Sequence, residues 1–154
     1  MTITIRQVGP CFAGEVDGLD MRRPLSRDAI AAIHAGMDKY AVLVFRNQDI
    51  DDAQQLAFTE SLGSIAHAIG TSLRAANEYR LPTTFADVSN LGKDNKPYAR
   101  EDRRRLFAIG NRLWHSDSSF KATPAKYSLL HAVKLPTKGG DTQFADMRAA
   151  YDAL

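Results

Sequence analysis

The segment WHSDSSF, residues 114–120, sets His115 and Asp117 one residue apart. On an extended backbone, side chains at i and i+2 leave the same face, so an imidazole nitrogen and a carboxylate oxygen can reach one metal ion. Cys11 is the only cysteine, which excludes an intramolecular disulfide framework and any multi-cysteine zinc or iron–sulfur centre. A metal here must use His and carboxylate ligands. That donor set suits a non-haem iron(II) site of the two-His-one-carboxylate type, with three positions open for co-substrate and oxygen, and zinc accepts the same donors. A catalytic metal usually takes three protein ligands, and a lone His-x-Asp pair is more often a histidine in a hydrogen-bond network.

The elements that must position this pair are those of one globular domain over 1–154, since 154 residues with 44% hydrophobic content suffice to bury a core. Lys and Arg number 20 against 18 Asp and Glu, a net charge of +2 that gives no broad field for nucleic acid or anionic membrane. MTITIRQVGP is too short and polar for a secretory signal, and the longest apolar run, 41–45, is far short of a membrane span. A soluble cytoplasmic protein is expected, with no nucleic-acid or membrane partner.

Ile3 and Ile5 alternate with threonines as in a half-buried strand, and a second extended piece around Val16 lies between Gly14 and Gly18, so the chain opens like a β-meander. Ser26 is a fitting N-cap for RDAIAAIHAGMDKY, where Ile30, Ile33 and Met37 recur at helical spacing. AVLVF, 41–45, reads as a strand of the core sheet buried on both faces. Asp51 and Asp52 precede a second helix, AQQLAFTESLG, with Gly63 where a left-handed cap would end it. From Ser64 to about Arg105 the periodicity fades into an irregular stretch with a turn at GKDNKP, 92–97, either a cover for a binding site or a plain surface loop. YSLLHAVKL, 127–135, alternates Tyr127, Leu129, His131 and Val133 as a strand does; PTKGG is a turn, and TQF begins another strand. Asp146 caps a last helix, MRAAYDAL, whose pattern of Met147, Tyr151 and Leu154 reads as a helix cut off at the chain end.

WHSDSSF followed by GGDTQFADMRAAYDAL, with VLVFRNQ upstream, resembles the Fe(II)- and 2-oxoglutarate-dependent dioxygenases of the taurine/2,4-dichlorophenoxyacetate family. Within it the likeness is to the 2,4-dichlorophenoxyacetate dioxygenase branch, from about Gly18 to Leu154. The resemblance implies an α+β, mainly β fold: a double-stranded β-helix, or jelly roll, with flanking helices, incomplete in this chain. It also implies iron(II) as cofactor, 2-oxoglutarate and O2 as co-substrates and stimulation by ascorbate. The implied reaction hydroxylates an aryloxyalkanoate or related organic acid beside its ether oxygen, and the product collapses to a phenol and glyoxylate, with succinate and CO2 formed alongside.

Residue by residue, the resemblance matches His115 and Asp117 to the first two iron ligands and Thr142 to the threonine whose hydroxyl binds a carboxylate of 2-oxoglutarate. A hydroxyl is an adequate neutral donor to a carboxylate. Asn111 and Lys96 match positions that face the primary substrate, although Asn beside Gly110 also suits a turn and Lys in GKDNKP also suits solvent. Trp114 and Phe120 flank the pair, either bordering an aromatic substrate or packing in the core. The family pattern further requires a distal histidine and an arginine well beyond the first motif. His34, His67 and His131 do not match it, His131 being the nearest alternative ligand, so this chain is expected to be the N-terminal part of one nearly twice as long, homo-oligomeric when whole. Alone it is expected to be inactive and prone to aggregate. Alternatives are a taurine or sulfonate dioxygenase of the same family, a catalytically inactive jelly-roll fragment, and a binding module built on Arg100, Arg103, Arg104 and Arg105. Glu101 and Asp102 interrupt that arginine cluster. The protein should therefore pass unretained through a heparin column at low salt; retention that weakens steeply with added salt would revive the binding module.

Overall fold

The opening alternation folds as β1 (Thr4–Gln7), antiparallel to β2 (Gly14–Asp17) in a register running from Thr4↔Asp17 to Gln7↔Gly14. The computed structural model describes residues 3–66, 80–82 and 84–154. It divides into two compact units, one formed by the chain up to Ser64 with Leu129–Leu154, the other by Ile65–Ser128. In the first unit a crossover through α1 (Arg27–Tyr40) brings β3 (Leu43–Val44) parallel to β2, with Gly14↔Leu43 and Glu15↔Val44 paired and the sheet ordered β1-β2-β3. The opening is thus a two-stranded hairpin extended by a crossover strand, not a three-stranded meander. AVLVF contributes only its middle pair to the ladder, and all five of its residues are half-buried. Among the described residues β3 is the edge strand of this sheet, and its half-buried side chains differ from the burial on both faces expected of it.

Ser26 caps α1 by accepting the Ala29 N–H at 3.2 Å, and the helix ends on Ala41 in the left-handed region (φ 59°), whose N–H donates to the Met37 carbonyl. The buried stripe is Ala29, Ile33, Gly36 and Tyr40, with Ile30 and Met37 half-buried beside it. Gly36 lets the helix approach the sheet closely: a Cβ there would stand 2.5 Å from Ile5 Cδ1. α2 (Asp52–Leu62) starts with a capping box, Asp51 accepting from Gln54 N–H at 2.8 Å and the Gln54 side chain accepting from Asp51 N–H at 2.9 Å. Its buried residue is Phe58, which meets Phe45 edge-on with ring centroids 5.6 Å apart. Gly63 ends the helix at φ 154° with an extended ψ, a conformation open to glycine but different from the left-handed cap expected.

Glu15 is the one buried charged residue among the described residues. Its two oxygens accept from Arg6 on β1 (Nη2, 2.9 Å) and from Arg46 just beyond β3 (Nε, 2.8 Å). The Arg46 hydrogen bond and the charges of both guanidiniums hold the carboxyl below its usual range, against the opposing effect of burial. Gln48 adds a second tie, accepting from Met21 N–H and donating to the Leu19 carbonyl.

Residues 127–135 keep the predicted alternation as far as His131: Tyr127, Leu129 and His131 are half-buried between exposed neighbours, and Val133 is exposed. No strand forms there or at 142–144, because no ladder partner lies beside either segment among the described residues. The α+β character is present, while three short strands are the only part of a mainly β sheet that the described residues contain. α4 (Met147–Asp152) follows its predicted cap, Asp146. No helix among the described residues is long and apolar enough to cross a membrane.

Gly14 is closed in by three side chains, since a Cβ there would lie 2.7 Å from Ile5 Cγ2, 2.9 Å from the Tyr40 ring and 3.1 Å from Leu43 Cδ2. Gly14→Ala should destabilise the protein by about 1–3 kcal/mol through overpacking, whereas Gly110→Ala, with nothing near its Cβ, should leave the melting temperature close to wild type. Equal melting temperatures for both variants would contradict this packing.

Candidate functional site

In the second unit, α3 (Arg103–Ala108) runs into a 3-10 turn, Ile109–Arg112, after which the chain extends through Trp114 to Ser116 and turns again at 117–120. Ser118 takes φ 58° in that turn. His115 therefore sits on a short irregular segment and Asp117 opens the turn that follows it, so neither lies on a ladder strand. Both side chains nonetheless leave on one side: His115 Nε2 lies 3.3 Å from Asp117 Oδ1. Two ligands about 2.1 Å from one metal at a right angle stand about 3.0 Å apart, so this spacing suits neighbouring positions on a single ion.

The other ring nitrogen is engaged. His115 Nδ1 is 2.8 Å from the Leu113 carbonyl, and because a carbonyl only accepts, Nδ1 carries the hydrogen. In the neutral ring the Nε2 lone pair then faces the Asp117 carboxylate, an arrangement that suits a metal cation between them. Both residues are about half-exposed, His115 at 49% and Asp117 at 60%. The donor set fits two positions of a hard or borderline divalent metal. Among the described residues no third His, Cys, Asp or Glu joins them.

Trp114 and Phe120 are 68% and 76% exposed, which removes the reading of them as core. Asn111 lies exposed on the 3-10 turn, and no hydrogen bond or ion pair joins it or Lys96 to His115 among the described residues. Thr142 belongs to the other compact unit, exposed on a stretch without regular secondary structure. His67 lies outside the described residues. His131 is half-buried, and its Nδ1 is buried with no hydrogen-bond partner among the described residues.

The predicted turn at 92–97 forms a tight loop: Leu91 bridges Pro97, Gly92 N–H donates to the Lys96 carbonyl and Asn95 takes φ 59°. An open concavity of about 480 Å3 lies beside it, lined by Lys93, Asp94, Lys96, Tyr98, Asp102 and Arg104. Asp102 caps α3, a helix hidden in the sequence because its arginines read only as a charge cluster. Two of the four arginines are engaged internally: Arg104 grips Asp102 (Nη2–Oδ2, 2.7 Å) and lies 4.4 Å over the Tyr98 ring, and Arg105 donates to the Arg100 carbonyl.

Residues 4–154 match the model of the family described as "Taurine catabolism dioxygenase TauD, TfdA family". The chain belongs to this family. Over its whole length it is 39% identical to the alpha-ketoglutarate-dependent 2,4-dichlorophenoxyacetate dioxygenase of Cupriavidus pinatubonensis, covering 53% of that protein. Over 153 residues it is 31% identical to the (S)-phenoxypropionate/alpha-ketoglutarate-dioxygenase of Delftia acidovorans, covering 49% of it. Its structure matches the crystal structure of AAD-2 in complex with Mn(II) and N-oxalylglycine with a TM-score of 0.94 at 54% identity, over all of this chain and 53% of that one. The chain spans about half the length of the curated relatives it matches.

Two features of this dioxygenase-family chain escaped the sequence: the Leu113 carbonyl that sets the His115 tautomer, a backbone atom no motif marks, and the Asp102–Arg104 pair. Hydrogen bonds from the Arg104 side chain and backbone lower Asp102 to about 2. The pair's support is therefore complete above pH 4 and is lost as pH falls toward 2, since the folded-state value lies below the ordinary one. An NMR carboxyl titration should give Asp102 a midpoint near 2, moving up toward about 4 in Arg104→Gln; a midpoint near 4 in the wild type would contradict the pair.

Proposed function

We propose that the whole protein is an iron(II)- and 2-oxoglutarate-dependent dioxygenase of an aryloxyalkanoic acid such as 2,4-dichlorophenoxyacetate, with His115 and Asp117 as two of the iron ligands. The observation that carries this is the convergence of Nε2 and Oδ1 to 3.3 Å in a member of this family. When bound, the metal supplies oxygen activation coupled to decarboxylation of 2-oxoglutarate. The chain's own residues prepare for it. Leu113, through its carbonyl, holds the imidazole in the tautomer that presents a lone pair at Nε2, and Asp117 contributes a negative oxygen at an adjacent position. The half-exposed pair leaves room for a chelating 2-oxo acid. Thr142 donates its hydroxyl to a carboxylate of that acid, and Lys96, on the rim of an open concavity with an exposed side chain, pairs with the substrate carboxylate while Asn111 faces the substrate.

Hydroxylation at the carbon between ether oxygen and carboxylate yields a hemiacetal that expels the phenol and leaves glyoxylate. The names of the relatives at 39% and 31% identity support an aryloxyacetate or aryloxypropionate. The alternating burial at 127–131 is the pattern a strand of a double-stranded β-helix would have, although no strand forms there among the described residues. Adding iron(II) and 2-oxoglutarate without oxygen should produce the visible charge-transfer absorption of a chelated iron–keto acid complex. His115→Ala and Asp117→Ala should each abolish that absorption and turnover, and retained turnover in either variant would refute the metal assignment. Competition among 2,4-dichlorophenoxyacetate, (S)-phenoxypropionate and taurine should rank the aryloxy acids first.

A further inference from the structure

Thr142 lies on a stretch anchored at both ends. Upstream, Gly139 and Gly140 take φ values of 70° and 82°, and a Cβ on Gly140 would stand 2.8 Å from Pro136 Cγ. Downstream, Asp146 caps α4 by accepting the Arg148 N–H at 3.0 Å, and the Arg148 guanidinium clasps the same carboxylate through Nε–Oδ1 at 3.0 Å and Nη2–Oδ2 at 3.1 Å. Between these anchors, residues 141–145 have no ladder partner among the described residues. The anchors therefore decide where the Thr142 hydroxyl stands.

The downstream anchor reaches beyond its own segment. Arg148 Nη1 donates to the Asp38 carbonyl at 2.7 Å, and Nη2 approaches the Lys39 carbonyl at 3.5 Å. These carbonyls end α1, where the last turn leaves acceptors without helical partners and the dipole favours a cation. Asp146 fixes the fork of the guanidinium, so that one edge is left for α1.

We propose that Arg148 is a positioning residue for 2-oxoglutarate: by tying the cap of α4 to the last turn of α1, it fixes the stretch that carries Thr142. This rests on the reading of Thr142 as a co-substrate residue. Arg148 acts through the backbone of 141–146 and leaves the metal pair unaffected.

The test compares variants of the intact protein. Without oxygen and with Mn(II) as the metal, Arg148→Gln should weaken 2-oxoglutarate binding about tenfold by calorimetry, and KM for 2-oxoglutarate should rise by a similar factor. At saturating 2-oxoglutarate, kcat and the KM for the aryloxy acid should stay within about twofold of wild type. Arg148→Lys keeps a cation that can reach the Asp38 carbonyl and should recover part of the loss. With neither metal nor co-substrate, amide exchange over 141–146 should be faster in Arg148→Gln. Unchanged 2-oxoglutarate affinity in Arg148→Gln, or a uniform loss of every kinetic parameter with a lowered melting temperature in both Arg148 variants, would overturn the proposal. Thr142→Val separates the two claims. If it leaves 2-oxoglutarate affinity intact, the reading of Thr142 fails and the inference with it; if it weakens binding while Arg148→Gln does not, the positioning role alone fails.

Discussion

A carboxylate inside a sheet is tolerable only when its charge is met on both sides, and Glu15 on the middle strand is met from both neighbours. Arg6 comes from β1 and Arg46 from the residue pair just past β3, so one side chain joins all three strands. The strands are too short to hold one another by ladder bonds alone, since β1 and β2 have four residues and β3 two. The remaining order of the first unit builds on this bridge. Glycine at 14 lets Tyr40 of α1 and Leu43 of β3 close over β2, and Gly36 lets the helix lie against Ile5. The block VLVFRNQ thereby acquires a structural meaning: Leu43 and Val44 pair, Arg46 answers Glu15, Asn47 turns at φ 55° and Gln48 staples the loop at 19–21.

The metal pair follows a different logic, local and built from the backbone. A 3-10 turn ends at Arg112, Leu113 extends and presents its carbonyl, and a left-handed Ser118 turns the chain away after Asp117. Within those few residues the histidine is oriented and the carboxylate is brought beside its free nitrogen. Little of this needs a distant contact, which is why a His-x-Asp motif is portable within a sequence and why it says little until the donors are seen to converge.

Features with a local cause were legible beforehand. Ser26 and Asp146 cap the helices they precede because a short acceptor side chain at that position answers an unpaired N–H whatever the rest of the fold does, and Asp51, read only as an acidic residue favoured by the helix dipole, proves to cap α2 in the same way. The turn at 92–97 likewise follows from Gly, Asp, Asn and Pro within six residues. Features that depend on a partner were not. Alternation at 127–131 puts Tyr127, Leu129 and His131 on the less exposed side, yet a strand exists only when another strand lies beside it. Nothing in GEVD marks Glu15 until Arg6 and Arg46 are found around it, and α3 was concealed by arginines, of which Arg104 has its role set by Asp102 and Tyr98. α3 has six residues, three of them arginines at its start, and no apolar repeat like that of α4 to announce it.

The hydrogen bond from Arg148 to Asp38 joins residues 110 positions apart. That separation shapes the order of folding. The strands, α1 and α2 lie within the first 62 residues and make contacts of short sequence range, so they can form as soon as that stretch has left the ribosome. α4 cannot dock until all of Ile65–Ser128 has been made, because that unit is inserted between the two stretches that compose the first. The end of α1 therefore waits with its carbonyls bare through the synthesis of the whole intervening unit, and closing the loop costs the entropy of a long chain. Assembly of the Thr142 segment is in this way timed by translation, a late event in the life of a helix that formed early.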